Sequence, residues 1–145
     1  MTDCPFCSIV AGVSPAYLVL DDDVAVGFLD TRPLFPGHVL VVPRAHVSVL
    51  TDLPAADVGP LFTRVQAMAA AVETACGAEG TFVALNNRVS QSVPHLHVHV
   101  VPRTKGDGLK GFFWPRTKYR NDEQATVIAR AIRAALERSA AGGAR

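Results

Sequence analysis

Three histidines at alternate positions are the feature of this sequence with the clearest capacity for chemistry. His95, His97 and His99 are separated by single apolar residues in the run HLHVHVV. On a β-strand, alternate side chains point to one face, so the imidazoles would line one surface about 7 Å apart while the apolar residues enter a core. Imidazole can act as a nucleophile, an acid or base, or a metal ligand near neutral pH. Because packing alone does not explain such a row, we predict a functional site.

Two cysteines and the remaining histidines are further candidates. Cys4 and Cys7 have C-x-x-C spacing, which in a reducing compartment indicates a metal or redox site more often than a structural disulfide. His38 begins an apolar run, and His46 follows the end of that run closely.

Short apolar runs bounded by turn-forming residues predict the strands that carry these side chains. The runs are 17–20, 24–29, 38–42, 81–85 and 96–101. The first three follow one another without a helix, so we expect antiparallel pairing. Helical periodicity predicts a helix from about Pro60 to Cys76, since a proline disfavours the helix interior, and another from Asp122 to Arg138. The expected class is α+β, with a single antiparallel sheet of about five strands and two main helices.

Length and composition limit the possible classes of protein. The 145 residues predict one domain spanning 1–145, with 140–145 as a disordered tail. No run approaches the roughly 20 apolar residues that span a bilayer, and the N-terminal residues do not resemble a signal peptide. We therefore expect a soluble, cytoplasmic protein without a membrane partner.

The distribution of charge favours a small anionic ligand over a nucleic acid. The net charge is +1, whereas nucleic-acid binders normally carry a basic excess. The segment from Arg103 to Arg120 nevertheless contains six basic residues and one acidic residue. It is either a solvated loop or a contact for polyphosphate through Lys105, Lys110 or Arg116.

Several segments together resemble the histidine triad (HIT) family of nucleotide hydrolases and transferases. Residues 95–101 match the family's alternation of histidine with hydrophobic residues, and 28–30 with 36–46 are similar to its nucleoside-binding strand pair. Asn86 with Gln91, Ser92 and Val93 is similar to its phosphate-binding approach to the triad. The resemblance covers nearly the whole chain, and the C-x-x-C pair points to the zinc-binding, bacterial-type branch.

The resemblance implies a role for individual residues. His97 would attack the α-phosphate and form a nucleotidyl-histidine intermediate, which water or another acceptor resolves. Gln91, Ser92 and His99 would be catalytic contacts to the phosphate oxygens. The implied nucleotide-binding set is Phe28, Asp30, His38, Asn86, Gln91, Ser92 and His99. Within it, Phe28 would line the base and Asp30 would accept bonds from the ribose hydroxyls, while His38 could equally be a strand-end residue that packs on its neighbours.

The resemblance also implies a metal centre. Its ligands would be Cys4, Cys7, His46 and His95, as in the similar galactose phosphate uridylyltransferases. Two cysteines and two histidines complete a tetrahedral zinc site without an open position, so one structural zinc per chain is expected. The alternative is a pair of reduced cysteines beneath the first turn.

The implied protein is a homodimer that hydrolyses a purine nucleotide derivative, such as a phosphoramidate or a dinucleoside polyphosphate. Three alternatives remain open: a nucleotidyltransferase or phosphorylase acting on dinucleoside polyphosphates, a regulatory nucleotide-binding module with little turnover, and a zinc-dependent hydrolase that uses the triad as ligands. Base preference and leaving group are not given by the residue pattern.

Overall fold

The computed structural model describes residues 3–109 and 116–142 of the chain, except for the side chains of residues 140 and 141. The chain divides into two units, Met1–Asp107 and Gly108–Arg145. The first contains the sheet, two α-helices and a short 3-10 helix at Leu50–Asp52, and the second contains the C-terminal helix. A single domain spanning 1–145 stays a prediction.

The sheet has five strands, and every neighbouring pair is antiparallel. In chain order the strands are β1 (Leu18–Asp21), β2 (Ala25–Leu29), β3 (Val39–Pro43), β4 (Gly80–Ala84) and β5 (Val98–Arg103), and their order in the sheet is β1-β2-β3-β5-β4. This confirms the predicted α+β class with one antiparallel sheet. Apolar runs between turn residues located each strand to within two residues of its observed bounds.

The helices are α1 (Pro5–Val10), α2 (Ala55–Cys76) and α3 (Asp122–Gly142). The predicted start of α2 near Pro60 is wrong, because the helix already begins at Ala55 and contains this proline. Pro60 lies in the second turn, where its missing N–H removes one backbone bond while Leu61 directly after it is buried. No helix of the described residues is long and apolar enough to cross a bilayer.

The two terminal helices also differ from the sequence-based expectations. Helix α1, with six residues, was not predicted. Pro5 occupies its first position, where no N–H is required, and the Cys4 sulfur accepts a bond from the N–H of Cys7. Helix α3 continues to Gly142, so 140–142 of the predicted tail are helical, and 143–145 lie outside the described residues.

Alternation along the strands gives the sheet two different faces. One face packs against α2, and its buried residues include Ala25, Val39, Val41, Val98 and Val100. The other face packs against α1 through Phe6, Val26, Phe28, Leu40 and Val42. On this second face the register sets Phe28 opposite Leu40, and Leu40 opposite His99. The aromatic residue of β2 and the third histidine therefore lie in one row across the sheet.

Candidate active site and metal centre

The three alternating histidines lie on the α1 face of the sheet, as the alternation predicted. Leu96, Val98 and Val100, the residues between and after them, are fully buried in the core beneath α2. His95 and His97 precede β5, and their exposed fractions are 0% and 3%. The first two members of the row are therefore buried, whereas His99 is half-buried.

His97 is oriented by a backbone carbonyl. Its Nδ1 lies 2.7 Å from the carbonyl oxygen of His95. A carbonyl can only accept a hydrogen bond, so Nδ1 carries the hydrogen and, in the uncharged ring, Nε2 carries the lone pair. Phe6 packs edge-on against the same imidazole, with 5.1 Å between ring centroids. These contacts fix the orientation of the ring and, in its uncharged form, the nitrogen that carries the lone pair.

A chain of hydrogen bonds places the ring hydrogen of His99 on Nε2, whereas His97 carries its hydrogen on Nδ1. The N–H of Leu34 donates to Nδ1 of His38 at 3.1 Å, so the hydrogen of the His38 ring is on Nε2. This Nε2–H donates to Nδ1 of His99 at 2.9 Å. His99 must then carry its own hydrogen on Nε2, which makes that nitrogen a donor. Adjacent members of the triad thus offer a lone pair on His97 and an N–H on His99.

The charge states of His38 and His99 agree with this chain. Burial, together with the neighbouring His97 and His38, lowers the pKa of His99 from 6.5 to about 4, against an opposing attraction from Asp30. Burial also lowers the pKa of His38, against an opposing attraction from Asp30. Both rings are therefore uncharged at neutral pH. The 3.7 Å approach of His38 Nε2 to an Asp30 oxygen is consequently a contact with a neutral ring and not an ion pair.

A cavity of about 290 Å³ opens beside His97 and His99. Its apolar lining includes Phe6, Ile9, Phe28, Leu40 and Val93, and its polar lining includes Asp30, Thr31, Arg32 and Ser92. An apolar wall facing a few polar groups is the usual composition of a small-molecule site. A larger cavity of about 390 Å³ lies between the sheet and α2, but none of its lining residues is a histidine. The smaller cavity is therefore the one suited to catalysis.

Four residues have the spacing of a metal site, and two of them, Cys4 and Cys7, are next in sequence to Pro5 and Phe6 in the cavity lining. The ligand atoms of Cys4, Cys7, His46 and His95 all lie within 4.8 Å of one another. Nδ1 of His95 is 3.5 Å from each sulfur, and Nδ1 of His46 is 3.2 Å from that of Cys7. Tetrahedral zinc separates a sulfur ligand from a nitrogen ligand by about 3.6 Å. The four predicted ligands are thus brought together with spacings close to those of zinc.

The tautomer of His95 also suits a metal. Its Nε2 is 3.0 Å from the carbonyl oxygen of Pro43, so Nε2 carries the hydrogen and the lone pair of Nδ1 faces the two sulfurs. A histidine ligand usually donates its other N–H to a carbonyl or carboxylate in this way.

A second group with ligand-type spacing consists of Asp30, His38 and His99. The tautomer of His38 does not suit a metal ligand. The Leu34 N–H occupies the Nδ1 lone pair of His38, so Nε2 keeps its hydrogen and has no lone pair to offer. We interpret this group as a hydrogen-bonding chain.

Comparison with known proteins identifies the family. The sequence profile of the HIT domain matches residues 11–106. The chain belongs to the HIT family. Adenylylsulfatase HINT3 of Arabidopsis thaliana is 34% identical over 109 residues, which are 74% of this chain and 55% of that protein. The asymmetrical bis(5'-nucleosyl)-tetraphosphatase of Schizosaccharomyces pombe is 36% identical over 86 residues, 58% of this chain and 47% of the yeast protein. The chain thus spans about half the length of these two relatives.

Solved structures of HIT proteins share the fold over most of the chain. SMU.412c from Streptococcus mutans has a TM-score of 0.86 and 32% identity, covering 94% of this chain and 87% of that one. A zinc-bound histidine triad family protein from Mycobacterium smegmatis has a TM-score of 0.70 and 36% identity, covering 94% and 97%.

Five of the eight residues that the HIT resemblance assigns to catalysis or nucleotide binding converge on the cavity. Phe28, Asp30, Ser92, His97 and His99 all line it. His38 does not line it but lies behind His99, to which it donates. Their contacts with a nucleotide stay predictions.

Asn86 and Gln91 lie elsewhere. Asn86 is exposed two residues after β4, and neither residue is among the described residues that line the cavity. The amide of Gln91 accepts a bond from the N–H of Arg88 at 2.9 Å and donates to the carbonyl oxygen of Ser48 at 2.6 Å. The predicted phosphate contacts of both residues stay predictions, but the Gln91 amide is already engaged by the protein.

The cavity also contains residues that the sequence did not indicate. Phe6 and Ile9 come from α1, which is too short to produce a helical periodicity. Leu40 could have been found by pairing the predicted strands, since it lies opposite both Phe28 and His99.

Only part of the basic segment after β5 can be placed. Arg103 donates two hydrogen bonds to the carboxylate of Asp107, so this guanidinium is occupied by an intramolecular partner. Lys110 lies outside the described residues. Contact of Lys105, Lys110 or Arg116 with polyphosphate stays a prediction.

Proposed function

We propose that this HIT protein is a nucleotide hydrolase that cleaves at the α-phosphate of a purine nucleotide derivative through a nucleotidyl-His97 intermediate. The observation that carries the proposal is the fixed lone pair of His97. The His95 carbonyl holds Nδ1–H and leaves Nε2 as the nucleophile beside a cavity that also contains Ser92 and His99. A positioned, unprotonated nitrogen next to hydrogen-bond donors is what attack on phosphorus requires.

The reaction would proceed in two displacements at phosphorus. In the first, Nε2 of His97 forms a bond to the α-phosphorus while the bond to the leaving group breaks. The ring then has substituents on both nitrogens and is cationic, and the His95 carbonyl accepts the bond from its Nδ1–H. In the second, water attacks phosphorus and gives up a proton to solvent while the P–N bond breaks, and His97 leaves with the electron pair as an uncharged ring. Nε2–H of His99 and the hydroxyl of Ser92 would donate to the phosphate oxygens or the leaving group in both steps.

The apolar part of the cavity would hold the nucleoside. Phe6 and Phe28 pack edge-on with 5.3 Å between centroids, and together with Leu40 they form an aromatic and aliphatic wall for a purine. Asp30 lies at the rim, with one oxygen accepting the N–H of Arg32 at 2.9 Å. Its remaining acceptor capacity suits the ribose hydroxyls.

The names of these relatives support the substrate class but do not specify the leaving group. An adenylylsulfatase and a bis(5'-nucleosyl)-tetraphosphatase are both named for nucleotides whose phosphate carries an anionic leaving group. We therefore propose a nucleoside 5'-phosphoryl derivative whose leaving group is an amine, a sulfate or a polyphosphate. Transfer to phosphate instead of water is the principal alternative for the second step.

We further propose one structural zinc per chain, held by Cys4, Cys7, His46 and His95. The ligand spacing, the tautomer of His95 and the zinc-bound relative support it. When bound, the metal would supply folding energy and leave no open position for catalysis. Because these ligands include two thiols that must stay reduced, the cytoplasm is the compartment we propose.

A homodimer is proposed through the outer edge of β4 in the described sheet. This strand is at one end of the described sheet, and Val83 on it is 42% exposed. Pairing of two such edges would continue the sheet. Analytical ultracentrifugation would show a dimer that Val83→Pro disrupts. A wild-type monomer at micromolar concentration would contradict this part of the proposal.

The central experiment is capture of the covalent intermediate. The full chain would be mixed with adenosine 5'-phosphoramidate, adenosine 5'-phosphosulfate or diadenosine tetraphosphate and quenched within milliseconds. Mass spectrometry should then locate an adenylyl group on His97. His97→Ala should lose the adduct and turnover while still binding AMP. Unchanged turnover by this variant would refute the proposal, and ADP formation that depends on added phosphate would favour a phosphorylase.

A further inference from the structure

Two residues in the loop before the triad have a backbone conformation that side chains disfavour. Arg88 has φ of 68° and Ser90 has φ of 60°, both in the left-handed region, and the Val89 between them is 81% exposed. For residues other than glycine this region is strained, and such strain persists only where the surroundings hold it. The loop leads directly to Ser92, which lines the nucleotide cavity.

The side chain of Gln91 makes two of the hydrogen bonds that hold this loop. Its Oε1 accepts the N–H of Arg88 at 2.9 Å, which closes the left-handed turn. Its Nε2 donates to the carbonyl oxygen of Ser48 at 2.6 Å, which ties the turn to the segment before α2. A glutamine is required because one end must accept from an amide while the other donates to a carbonyl.

The same segment fixes the loop on both sides of Ser92. Before it, the Asn87 side chain accepts the N–H of Leu50 at 2.8 Å. After it, the N–H of Leu96 donates to the carbonyl oxygen of Val47 at 2.7 Å. Ser92 is thus presented to the cavity from a loop held at three points along residues 47–50.

We propose that Gln91 is a positioning residue that clamps the strained loop and thereby places Ser92, and that it does not itself contact the substrate phosphate. The inference rests on the proposed function for its kinetic part, because Ser92 is the group that it would position. It differs from the direct phosphate contact that the family resemblance implied for this glutamine.

Relief of the strain provides the test. Adenosine 5'-phosphoramidate turnover would be compared for wild type, Gln91→Ala, Gln91→Glu and the double variant Gln91→Ala/Ser90→Gly. We expect Gln91→Ala to lower kcat/KM about tenfold. Adding Ser90→Gly should raise kcat/KM about threefold above the Gln91→Ala value, because glycine adopts positive φ without strain. Gln91→Glu should behave like the alanine variant, since a carboxylate cannot donate to Ser48. Gln66→Ala, at an exposed position of α2, is the matched control.

Hydrogen–deuterium exchange of the full chain without substrate gives a second, independent readout. Gln91→Ala should increase exchange of the amides in 86–93 at least tenfold, whereas Ser92→Ala should not. Unchanged exchange in Gln91→Ala, or a kinetic loss that Ser90→Gly does not reduce, would overturn the clamp and favour a direct contact. If the wild type shows no turnover, the proposed function fails, but the exchange experiment still decides whether Gln91 holds the loop.

Discussion

The ring of Phe6 lies edge-on to the imidazole of His97, with 5.1 Å between the ring centroids. Phe6 lies between Cys4 and Cys7 in sequence, two of the four candidate zinc ligands, and it also lines the cavity beside His97 and His99. A helix of six residues such as α1 is not stable alone. The position of Phe6 therefore depends on its own burial, on the packing of Ile9 and Val10 and, under the zinc proposal, on the two candidate ligands near it.

Removal of the metal should consequently affect nucleotide binding as well as stability. Chelation, or Cys4→Ser, is expected to raise the Kd for AMP about tenfold, because the Phe6 wall loses its anchor. Loss of zinc should lower the free energy of unfolding by about 3–4 kcal/mol, compared with protein held in free zinc at 100 to 1,000 times its Kd. Metal analysis, calorimetric binding and denaturant unfolding would measure these effects.

The third cysteine provides the control for this experiment. Cys76 is exposed at the end of α2, away from the four candidate ligands. Cys76→Ser should keep one zinc per chain and normal AMP binding. A Cys4→Ser protein that retains full zinc content would contradict the centre as described.

The strands could be predicted from the sequence, whereas several features of the site could not. Alternating residues reveal which face of a strand is buried, and the row from His95 to His99 follows that rule. Helix α1 is too short for a periodic signal. Pro60 disfavours a helix interior, so the sequence does not indicate that α2 begins at Ala55. The four candidate zinc ligands follow from the family resemblance, because sequence spacing alone does not bring His46 to the cysteines.

Hydrogen-bond partners were the least predictable feature. The tautomers of the triad depend on backbone groups of other segments, such as the Leu34 N–H and the Pro43 carbonyl. The engagement of Gln91 likewise depends on Ser48, which is 43 residues away in sequence. Such contacts arise from tertiary proximity and leave no local pattern.

Replacement of His38 should alter catalysis by changing the tautomer of His99. His38→Asn keeps an acceptor near the Leu34 N–H but removes the donor to His99. We expect kcat on adenosine 5'-phosphoramidate to fall roughly 10- to 100-fold, the range of losses when an orienting partner is removed. His38→Gln, whose amide nitrogen can reach near the position of Nε2, should recover part of this loss.

Nitrogen NMR of the ring gives a direct check of that mechanism. In the wild type, the His99 hydrogen should be on Nε2, and in His38→Asn a mixture of both tautomers should appear. Equal activity of the asparagine and glutamine variants would show that His38 does not act through this bond.

The lowered pKa of His99 predicts a specific dependence of stability on pH. The folded ring protonates with a pKa of about 4, and the unfolded ring near 6.5. The unfolded state therefore binds more protons between these values, so stability is greatest above pH 6.5 and is lost progressively as the pH falls towards 4. Unfolding measured at pH 7.5 and 5.5 should show a smaller loss in His99→Asn than in wild type.

An NMR titration would locate the midpoint itself. At pH 5.5 the His99 ring in the folded protein should still be uncharged. A midpoint near 6.5 would mean that burial and the neighbouring His97 and His38 do not act on this ring as described.

Asp30 should determine recognition of the ribose. Its carboxylate lines the cavity, with one oxygen accepting the N–H of Arg32 at 2.9 Å and the other 3.7 Å from Nε2 of His38. Asp30→Asn replaces one acceptor oxygen by an amide, so we expect KM for adenosine 5'-phosphoramidate to rise about tenfold, as expected for loss of one charge-assisted bond of 1.5 kcal/mol or more. The 2'-deoxy and 3'-deoxy analogues identify the hydroxyl: wild type should discriminate against one of them, and the variant should not.

Asp23→Asn, at a side chain that is 91% exposed in the β1–β2 turn, is the matched control and should leave KM unchanged. Equal discrimination by wild type and Asp30→Asn would place the ribose elsewhere in the cavity.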